Sequence, residues 1–477
     1  MRKRAWFAVW VLCLLTLGCA TAPHPPPSAD GADVVRTDAE QALKGTSPGL
    51  QPLRRSTVKG DAVAQIELPR DIWERIRRGF AMPDLQSPLV QDRVQWYVQR
   101  PDYFLRMTER SRKYLFHIVE ELEARGMPTE LALLPFVESA FNPQAVSVAK
   151  ATGMWQFMPA TGRDYDLKQN AFRDDRRDIQ ASTRAALDYL QRLYAMFGDW
   201  HLALAAYNWG EGSVGKALVR NQKAGLSAQY TELSMPMETR FYVPKLQAIK
   251  NIIAQPAQYG VRLSDIPNHP YFQSVPLPRD MDVSVAAKLA EISVEDFRSL
   301  NPSAHRPVLL AAGTPQILLP WDNAEVFQRN YETFGATRLS SWTAWVAPST
   351  MKVTEAAKRV GMAEAEFREV NQIPPRMMVK AGSVLLVPRQ GLDEQDVNPG
   401  LAENGQLSLA AEAAAAKAAG KGKSAKGGKA VAQTQPGTSA KSGGSAKSGA
   451  GPKPTATAKA QNHGKPPAKT QGAVASR

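Results

Sequence analysis

Residues 134–143 read LPFVESAFNP, and this stretch sets one carboxylate among apolar side chains. Glu138 follows Phe136 and Val137 directly, and Phe141 lies three residues further on. Burial among apolar neighbours raises the pKa of a carboxyl group toward neutrality, where it can act as a general acid. The same letters also fit a surface glutamate on an amphipathic helix. Both interpretations are open until the surrounding sequence is considered.

The sequence on both sides of this stretch has helical periodicity. Apolar residues recur at three- and four-residue spacing between about 89 and 262, and no alternating strand pattern occurs before residue 270. Asp178 is predicted to cap the start of a long helix that ends at Gly198. Pro135 lacks a backbone donor and is expected to kink its helix, which would help to aim Glu138. The pattern predicts an all-α segment.

After residue 270 the chain contains an internal repeat. Ala286, Phe297 and Asn301 are matched by identical residues 70 positions later, and each copy ends in a β-rich run closed by proline. Two short helices between two strands form a small βααβ unit. We predict one such module at 273–322 and a second at 340–390.

The start of the chain predicts where the protein is located. Residues 1–18 combine a basic start with a short apolar run, as in a signal peptide, and Cys19 follows Leu17-Gly18 as in a bacterial lipoprotein. Cys19 is the expected lipidation site. Plain secretion, with cleavage after residues 20–22, is the alternative. Cys13 would be removed with the leader, so the mature chain would keep no free thiol for a disulfide or a metal site.

The remaining segments are predicted from composition. Residues 19–70 form a disordered tether, 71–109 a helical N-terminal extension, and 392–477 a disordered tail rich in Ala, Gly, Lys and Pro. The net charge of +14 is concentrated at the two ends of the chain. This distribution argues against nucleic-acid binding by the folded part. The basic tail is either a solvated segment or a contact with anionic wall polymers or phospholipid.

Three further motifs follow Glu138 along the chain. They are GMWQFMPATG at 153–162, AAYNWGEG at 205–212, and Glu238-Thr239 with Tyr242-Val243. Together with residues 134–143 they resemble the lysozyme-like domain of family 1 lytic transglycosylases, glycoside hydrolase family 23. The resemblance spans roughly 110–260. It implies an all-α, lysozyme-like catalytic domain at 110–262.

The resemblance assigns roles to individual residues. Glu138 matches the sole catalytic acid/base, Ser147 the hydroxyl that orients it, and Gln156 a polar cleft residue. Tyr207 matches the tyrosine that faces the acid, and Asn208 the neighbouring saccharide-binding amide. The remaining matches are an apolar floor or ordinary core (Met154, Met158) and a late motif with a mainly structural role (Glu238, Tyr242). The aromatic residues Trp155, Phe157 and Trp209 either stack on sugars or fill the core.

The resemblance also implies a mechanism with one carboxylate. An ordinary glycosidase needs two carboxylates across its cleft. The nearby acids occupy no motif position suited to that role; they are Asp164, Asp166, Asp174, Asp175 and Glu211. Glu138 would protonate the leaving oxygen and then activate the muramoyl 6-hydroxyl, giving 1,6-anhydromuramic ends. No metal or cofactor is expected, since the six His residues form no pair at ligand spacing.

The repeats resemble LysM modules, which bind glycans that contain N-acetylglucosamine. The expected partners are therefore peptidoglycan glycan strands and, through Cys19, a membrane; protein partners are unknown. The expected location is the bacterial envelope, at the periplasmic face of the outer membrane. Two alternatives remain open: a hydrolytic muramidase of similar fold, and a wall-binding protein without catalysis.

Overall fold

The computed structural model describes residues 68–334, 339–390 and 395–412. The described residues from Arg70 onward belong to one compact unit. The predicted signal peptide, Cys19, the tether up to residue 67 and the tail beyond residue 412 lie outside the described residues.

Helices make up the first two thirds of the described chain and recur in short pairs afterwards. The α-helices are α1 Ile72–Arg78, α2 Pro88–Val98, α3 Pro101–Ser111, α4 Leu115–Ala124, α5 Leu134–Glu138, α6 Pro159–Asp164, α7 Ile179–Phe197, α8 Trp200–Trp209, α9 Glu211–Lys223, α10 Met237–Arg240, α11 Tyr242–Ala254, α12 Val283–Leu289, α13 Val294–Leu300, α14 Trp321–Thr333, α15 Val353–Arg359, α16 Glu364–Asn371 and α17 Pro399–Asn404. Short 3₁₀ segments are Thr129–Leu133, Tyr230–Glu232 and Pro256–Tyr259.

The strands are short and all lie after residue 270. They are β1 Phe272–Pro276, β2 Met281–Asp282, β3 Val308–Leu309, β4 Gln316–Pro320, β5 Trp342–Val346, β6 Met351–Lys352, β7 Met377–Val379, β8 Val384–Pro388 and β9 Leu409–Ala411.

The helical region has one continuous apolar core. Residues of α1, such as Ile72 and Trp73, belong to the same cluster as Phe136 and Ile249. The indole nitrogen of Trp73 also donates to the Ser264 carbonyl at 2.7 Å. The predicted boundary between an extension at 71–109 and a catalytic domain at 110–262 therefore falls inside a shared core. The prediction of an all-α segment is confirmed, apart from isolated β-bridges in its loops.

The helix ends follow the predicted capping. The Asp178 side chain accepts from the Ala181 amide at 2.9 Å and begins α7. Gly198 ends α7 at φ +66, a left-handed conformation that glycine adopts without a Cβ clash. The next turn places α8 back against α7. This packing brings Tyr207, on α8, toward the middle of the domain.

Two βααβ modules follow, as the repeat predicted. In the first, β1 and β4 pair antiparallel with Phe272 opposite Pro320; in the second, β5 and β8 pair with Trp342 opposite Pro388. The helices of the two copies begin 70 residues apart, at Val283 and Val353. Each module also has a short second ladder, β2 with β3 and β6 with β7, which the repeat did not indicate.

The predicted disorder from residue 392 is wrong for residues 395–412, which we call the C-terminal strap. The strap contains α17 and β9, and β9 pairs antiparallel with β7 of the second module. Val397 and Ala402 are buried in an apolar cluster with Phe172 and Leu310. Composition predicted too little apolar surface for folding. The strap nevertheless folds because its apolar residues pack against residues of the helical region and of both modules.

The helices of the described part of the chain are unlike membrane-spanning helices. None of its helices combines the length and the apolar character that crossing a bilayer requires.

Candidate active site

Glu138 is the last residue of α5, a helix that begins directly after the 3₁₀ segment Thr129–Leu133. Pro135 lies in the first turn of α5, where its missing N–H breaks no helical hydrogen bond. The expected kink inside a longer helix is therefore wrong. The helix type instead changes from 3₁₀ to α at Leu134, where α5 begins.

A tight turn directly follows Glu138. Ala140 and Phe141 both have positive φ, 51° and 57°, which non-glycine residues adopt at a cost of about 1–3 kcal/mol each. The Phe141 amide donates to the Pro135 carbonyl at 3.0 Å. Its ring lies edge-on to Phe136, with centroids 4.5 Å apart. The turn thus packs the Phe141 ring against Phe136, which lies two residues before Glu138.

The surroundings of Glu138 stabilise its neutral form. Burial raises the pKa of the Glu138 carboxyl to about 7. The hydrogen bond from Tyr242 and the charge of Lys245 act in the opposite direction, and the charge of Glu238 raises the pKa slightly further. About half of the Glu138 carboxyls are therefore protonated near neutral pH, as a general acid requires.

The two oxygens of Glu138 differ in their surroundings. The Tyr242 hydroxyl donates a short hydrogen bond to Oε1. Oε2 has no hydrogen-bond partner among the described residues. It is not one of the described polar atoms that are both unpartnered and fully buried, so it is accessible. Oε2 is therefore the oxygen open to a bound molecule, and Tyr242 fixes the carboxyl group from the protein side.

Tyr207 lies close enough to Glu138 for the two to interact electrostatically. Burial and the Glu138 charge raise the pKa of Tyr207 well above its ordinary value, so the phenol stays protonated. Its hydroxyl donates to the Trp155 carbonyl at 2.9 Å, and its ring lies against that of Tyr189. The structure thus places Tyr207 within electrostatic reach of Glu138, and its role at the site remains a prediction.

Asn208 follows Tyr207 and is oriented by α10. Its side-chain oxygen accepts from the buried Thr239 hydroxyl at 2.8 Å. In the part of the chain that the structure describes, no protein group accepts from its amide nitrogen. The free N–H groups of Asn208 suit a ligand carbonyl or hydroxyl, and a saccharide-binding role remains a prediction.

Gln156 stands in a loop that permits little variation. Its side-chain nitrogen donates to the Gly153 carbonyl at 2.7 Å, and its own φ is +51°. Gly153 has φ +88°, and a Cβ there would meet the Arg176 carbonyl oxygen at 1.9 Å. Arg176 also donates to the Phe157 carbonyl at 3.2 Å. The loop geometry is thus fixed by backbone contacts, with Gln156 at its end.

Ser147 lies in a turn of its own. Its hydroxyl accepts from the Ala151 amide at 3.0 Å, and its amide donates to the Ala151 carbonyl at 2.9 Å. Among the described residues it makes no hydrogen bond to Glu138. The hydroxyl that contacts the acid belongs to Tyr242, and an orienting role for Ser147 remains a prediction.

The residues with two open interpretations divide between core and surface. Met154, Trp155 and Phe157 are buried in the main apolar core, whereas Met158 is 43% exposed at the start of α6. Trp209 packs half-buried against that core. Met154 is therefore an ordinary core residue, and Met158 is no part of an enclosed floor.

Three of the other acids of this region, Asp174, Asp175 and Glu211, have arginine partners. Asp174 pairs with Arg176 at 2.7 Å, and Glu211 pairs with Arg192 at 2.7 Å. The acid whose charge acts on Glu138 is Glu238, which is exposed on α10. No second buried carboxylate is recorded as an electrostatic partner of Glu138 among the described residues.

Sequence reasoning undervalued the late motif. Tyr242, interpreted as mainly structural, donates to Glu138 across a separation of 104 residues. Lys245 stands one helical turn later on the same face of α11 and lowers the pKa of Glu138. The three- and four-residue spacing from Tyr242 could have indicated Lys245. No local signal links either residue to Glu138.

A metal centre has no obvious donor set here. Across the described residues, His, Cys, Asp and Glu side chains form no group of three or more that could hold a metal ion.

Known proteins resemble this chain in both regions. Residues 117–229 match the family model of the transglycosylase SLT domain, and residues 271–336 match that of the LysM-like domain of lytic transglycosylase MltD. The first match contains Glu138, Ser147, Gln156, Tyr207 and Asn208.

Individual relatives agree with the family models. Over 256 residues the chain is 39% identical to membrane-bound lytic murein transglycosylase D of Escherichia coli strain K12, covering 54% of this chain and 57% of that protein. Soluble lytic murein transglycosylase of the same strain is 31% identical over 136 residues, covering 27% of this chain and 20% of the relative. The chain thus spans little more than half the length of the first relative and a fifth of the second.

A solved structure is also similar in part. An inactive mutant of lytic transglycosylase Slt from Pseudomonas aeruginosa is 24% identical and has a TM-score of 0.24. The match covers 31% of this chain and 24% of that one, and a TM-score of this size establishes no shared fold. The domain assignment therefore depends on the family models, whose matches are a transglycosylase SLT domain at 117–229 and a LysM-like domain at 271–336.

Proposed function

We propose that the protein is a peptidoglycan lytic transglycosylase. It cleaves the β-1,4 bond between N-acetylmuramic acid and N-acetylglucosamine and leaves 1,6-anhydromuramic ends. The observation that carries the proposal is the Glu138 carboxyl, whose pKa burial raises to about 7 and whose Oε2 is open. The SLT match over residues 117–229 supports the same reaction class.

Each step of the proposed reaction uses Glu138. The protonated carboxyl donates its proton from Oε2 to the departing glycosidic oxygen. The resulting carboxylate then accepts the proton of the muramoyl 6-hydroxyl as that oxygen closes on the anomeric carbon. An intramolecular nucleophile of this kind competes well with water. Tyr242 holds the carboxyl throughout, and Asn208 donates to the saccharide.

The LysM-like modules hold the enzyme on its substrate. The match at 271–336 supports the first module. The second shares its βααβ topology and helix spacing. Glycan strands are therefore the ligand proposed for both modules.

Attachment to the envelope is a further part of the proposal. The sequence of residues 1–19 supports a signal peptide and lipidation at Cys19, with the folded part on the periplasmic face of the outer membrane. Similarity to a relative named membrane-bound supports association with the envelope. In a Cys19→Ser variant, the protein should lose its palmitate label and move to the soluble fraction. Unchanged membrane attachment would refute the lipid anchor.

The test of the reaction is mass spectrometry of the muropeptides released from purified peptidoglycan by the chain without residues 1–19. Products with 1,6-anhydro ends, absent with Glu138→Gln, are expected. Products one water heavier would replace the proposal with a hydrolytic muramidase. Absence of release, together with retained binding to sacculi, would instead favour a binding protein.

A further inference from the structure

A polar cavity of about 270 Å³ lies where the helical region meets both modules and the C-terminal strap. Its lining comes from the loop at 169–177, from residues 305–306 of the first module, from residues 371–372 of the second, and from residues 406–407 of the strap. Glu138 is not among its lining residues. The cavity is therefore separate from the candidate active site.

Arg306 is a buried cation at this cavity. It is 4% exposed, and its Nε and Nη1 donate to the carbonyls of Ala171 and Val370 at 2.7 and 2.6 Å. Among the described residues no carboxylate pairs with it. Burial lowers the pKa of Arg306 to about 10, so it is still charged at neutral pH. A buried charge without a counter-ion is costly unless a ligand supplies one.

Arg177 adds a second cation without a carboxylate partner within the described chain. Its Nη1 donates to the Gln144 side chain at 3.1 Å, and its Nε is buried with no hydrogen-bond partner. Arg173 lines the same cavity and also has a buried Nε without a partner, although its Nη2 lies 3.3 Å from Asp175. Buried donors left unpaired in this way are uncommon in folded proteins.

The other titratable groups leave the cavity positive. Asp174 forms an ion pair with Arg176, whose Nε and Nη2 donate to it at 2.9 and 2.7 Å. Burial and the Arg306 charge lower the pKa of His305 to about 4, so its imidazole is neutral at pH 7. Neither Arg177 nor Arg306 therefore forms an ion pair with a described carboxylate, although the charge of Asp174 also acts on Arg177.

We propose that this cavity binds a small oxyanion, the terminal carboxylate of a short peptide. Guanidinium groups bind carboxylates through paired, charge-assisted hydrogen bonds. Nη2 of Arg177 and Nη2 of Arg306 donate to no described group, so each has N–H donors left for such a ligand. The oxyanion site follows from the cavity alone. The choice of a peptide as its source depends on the proposed function, because peptidoglycan carries peptides that end in carboxylates.

Such a ligand would join the four segments that form the cavity. It would contact the loop before α7, the first module through Arg306, and the second module through residues 371–372. A ligand that binds only this assembled arrangement stabilises it by mass action. Binding of a wall peptide would thus fix the modules against the catalytic region.

The test is calorimetric titration of the chain without residues 1–19 at constant ionic strength. The probes are N-acetyl-D-alanyl-D-alanine and inorganic phosphate, with sodium chloride as the non-specific reference. Saturable 1:1 binding with a raised thermal midpoint is expected for the dipeptide. Arg177→Gln should weaken it about tenfold. Arg359→Gln removes an exposed arginine paired with Glu355 in the second module and should leave binding unchanged.

The outcomes separate the ligand sources. Saturable phosphate binding without dipeptide binding would keep the oxyanion site but overturn the peptide as its source. Absence of saturation with either probe, or equal binding by Arg177→Gln and wild type, would overturn the site itself. Arg306→Lys keeps the charge and loses the fork, so it should also weaken binding if it folds with the wild-type midpoint. Since no readout involves bond cleavage, failure here leaves the proposed reaction untouched.

Discussion

Glu130 and Glu138 are two carboxylates eight residues apart that the fold treats in opposite ways. Glu130 is 1% exposed and fully engaged: its oxygens accept from the amides of Ala81 and Met82 at 3.0 and 2.9 Å, and Lys250 lies 3.1 Å away. Glu138 has one hydroxyl donor on Oε1 and an open Oε2.

The difference shows what makes a buried carboxylate reactive. Glu130 has three donors around its two oxygens and forms a structural link between α11 and the loop before α2. Glu138 is surrounded by apolar groups and phenols, with too few donors to hold its charge. Burial by itself therefore does not distinguish an acid catalyst from a structural ion; the set of donors does.

The largest difference in turnover is expected between the glutamine variants of the two glutamates. Glu138→Gln cannot donate or accept the proton, so release of anhydro-muropeptides should fall by about a thousandfold or more. Glu130→Gln should reduce stability but leave the activity of the folded fraction near wild type. Turnover per folded molecule, measured for both variants, checks this. Equal losses of turnover would remove the distinction between the two sites.

Removing the cation from Glu130 should affect stability and not catalysis. Lys250→Met would leave the Glu130 carboxylate buried without its counter-ion, at a cost of about 3 kcal/mol in the free energy of unfolding. The pH dependence of turnover should not move. Urea denaturation and a pH–rate profile measure the two quantities. A shifted profile would show that the two carboxylates are coupled.

The raised pKa of Glu138 predicts a pH-dependent change in stability. The carboxyl titrates at an ordinary value of 4.5 in the unfolded chain and at about 7 in the fold. Stability contributed by Glu138 is therefore complete below pH 4.5 and is lost as the pH rises through 7.

Glu138→Gln should remove this loss. Relative to wild type at each pH, it should gain up to roughly 3 kcal/mol of stability at pH 8 over its value at pH 4.5. Denaturation series at the two pH values test it. A constant difference between variant and wild type would contradict the raised pKa.

The smallest effect concerns the donor on Oε1. Tyr242→Phe removes the hydrogen bond that lowers the pKa of Glu138, so the basic limb of the pH–rate profile should move upward. Turnover should fall about tenfold as the carboxyl loses its orientation. In Tyr207→Phe, where the hydroxyl donates to a backbone carbonyl, the limb should stay closer to wild type. Identical profiles for both variants would argue against a special role of Tyr242.

Local sequence predicted much of the molecule. The apolar neighbours of Glu138 indicated its raised pKa, and Asp178 and Gly198 indicated the ends of α7. The 70-residue repeat predicted both modules. These features depend on side chains that are near one another along the chain, so periodicity and capping rules reach them.

Features that depend on distant segments were not predictable in the same way. Tyr242 meets Glu138 only because α11 packs beside α5. The C-terminal strap has an unpromising composition and folds because Val397 and Ala402 find apolar partners in the modules. The left-handed turn at Ala140 carries no glycine that would have marked it. Tertiary contacts determine all three features.

The most direct test of the central claim is the titration of Glu138 itself. Carbon-13 NMR of glutamate-labelled protein, with the Glu138→Gln variant to assign the resonance, measures the pKa of that one carboxyl. A midpoint near 7 is predicted. A midpoint near 4.5 would mean that Glu138 is charged at neutral pH and would contradict its role as the acid.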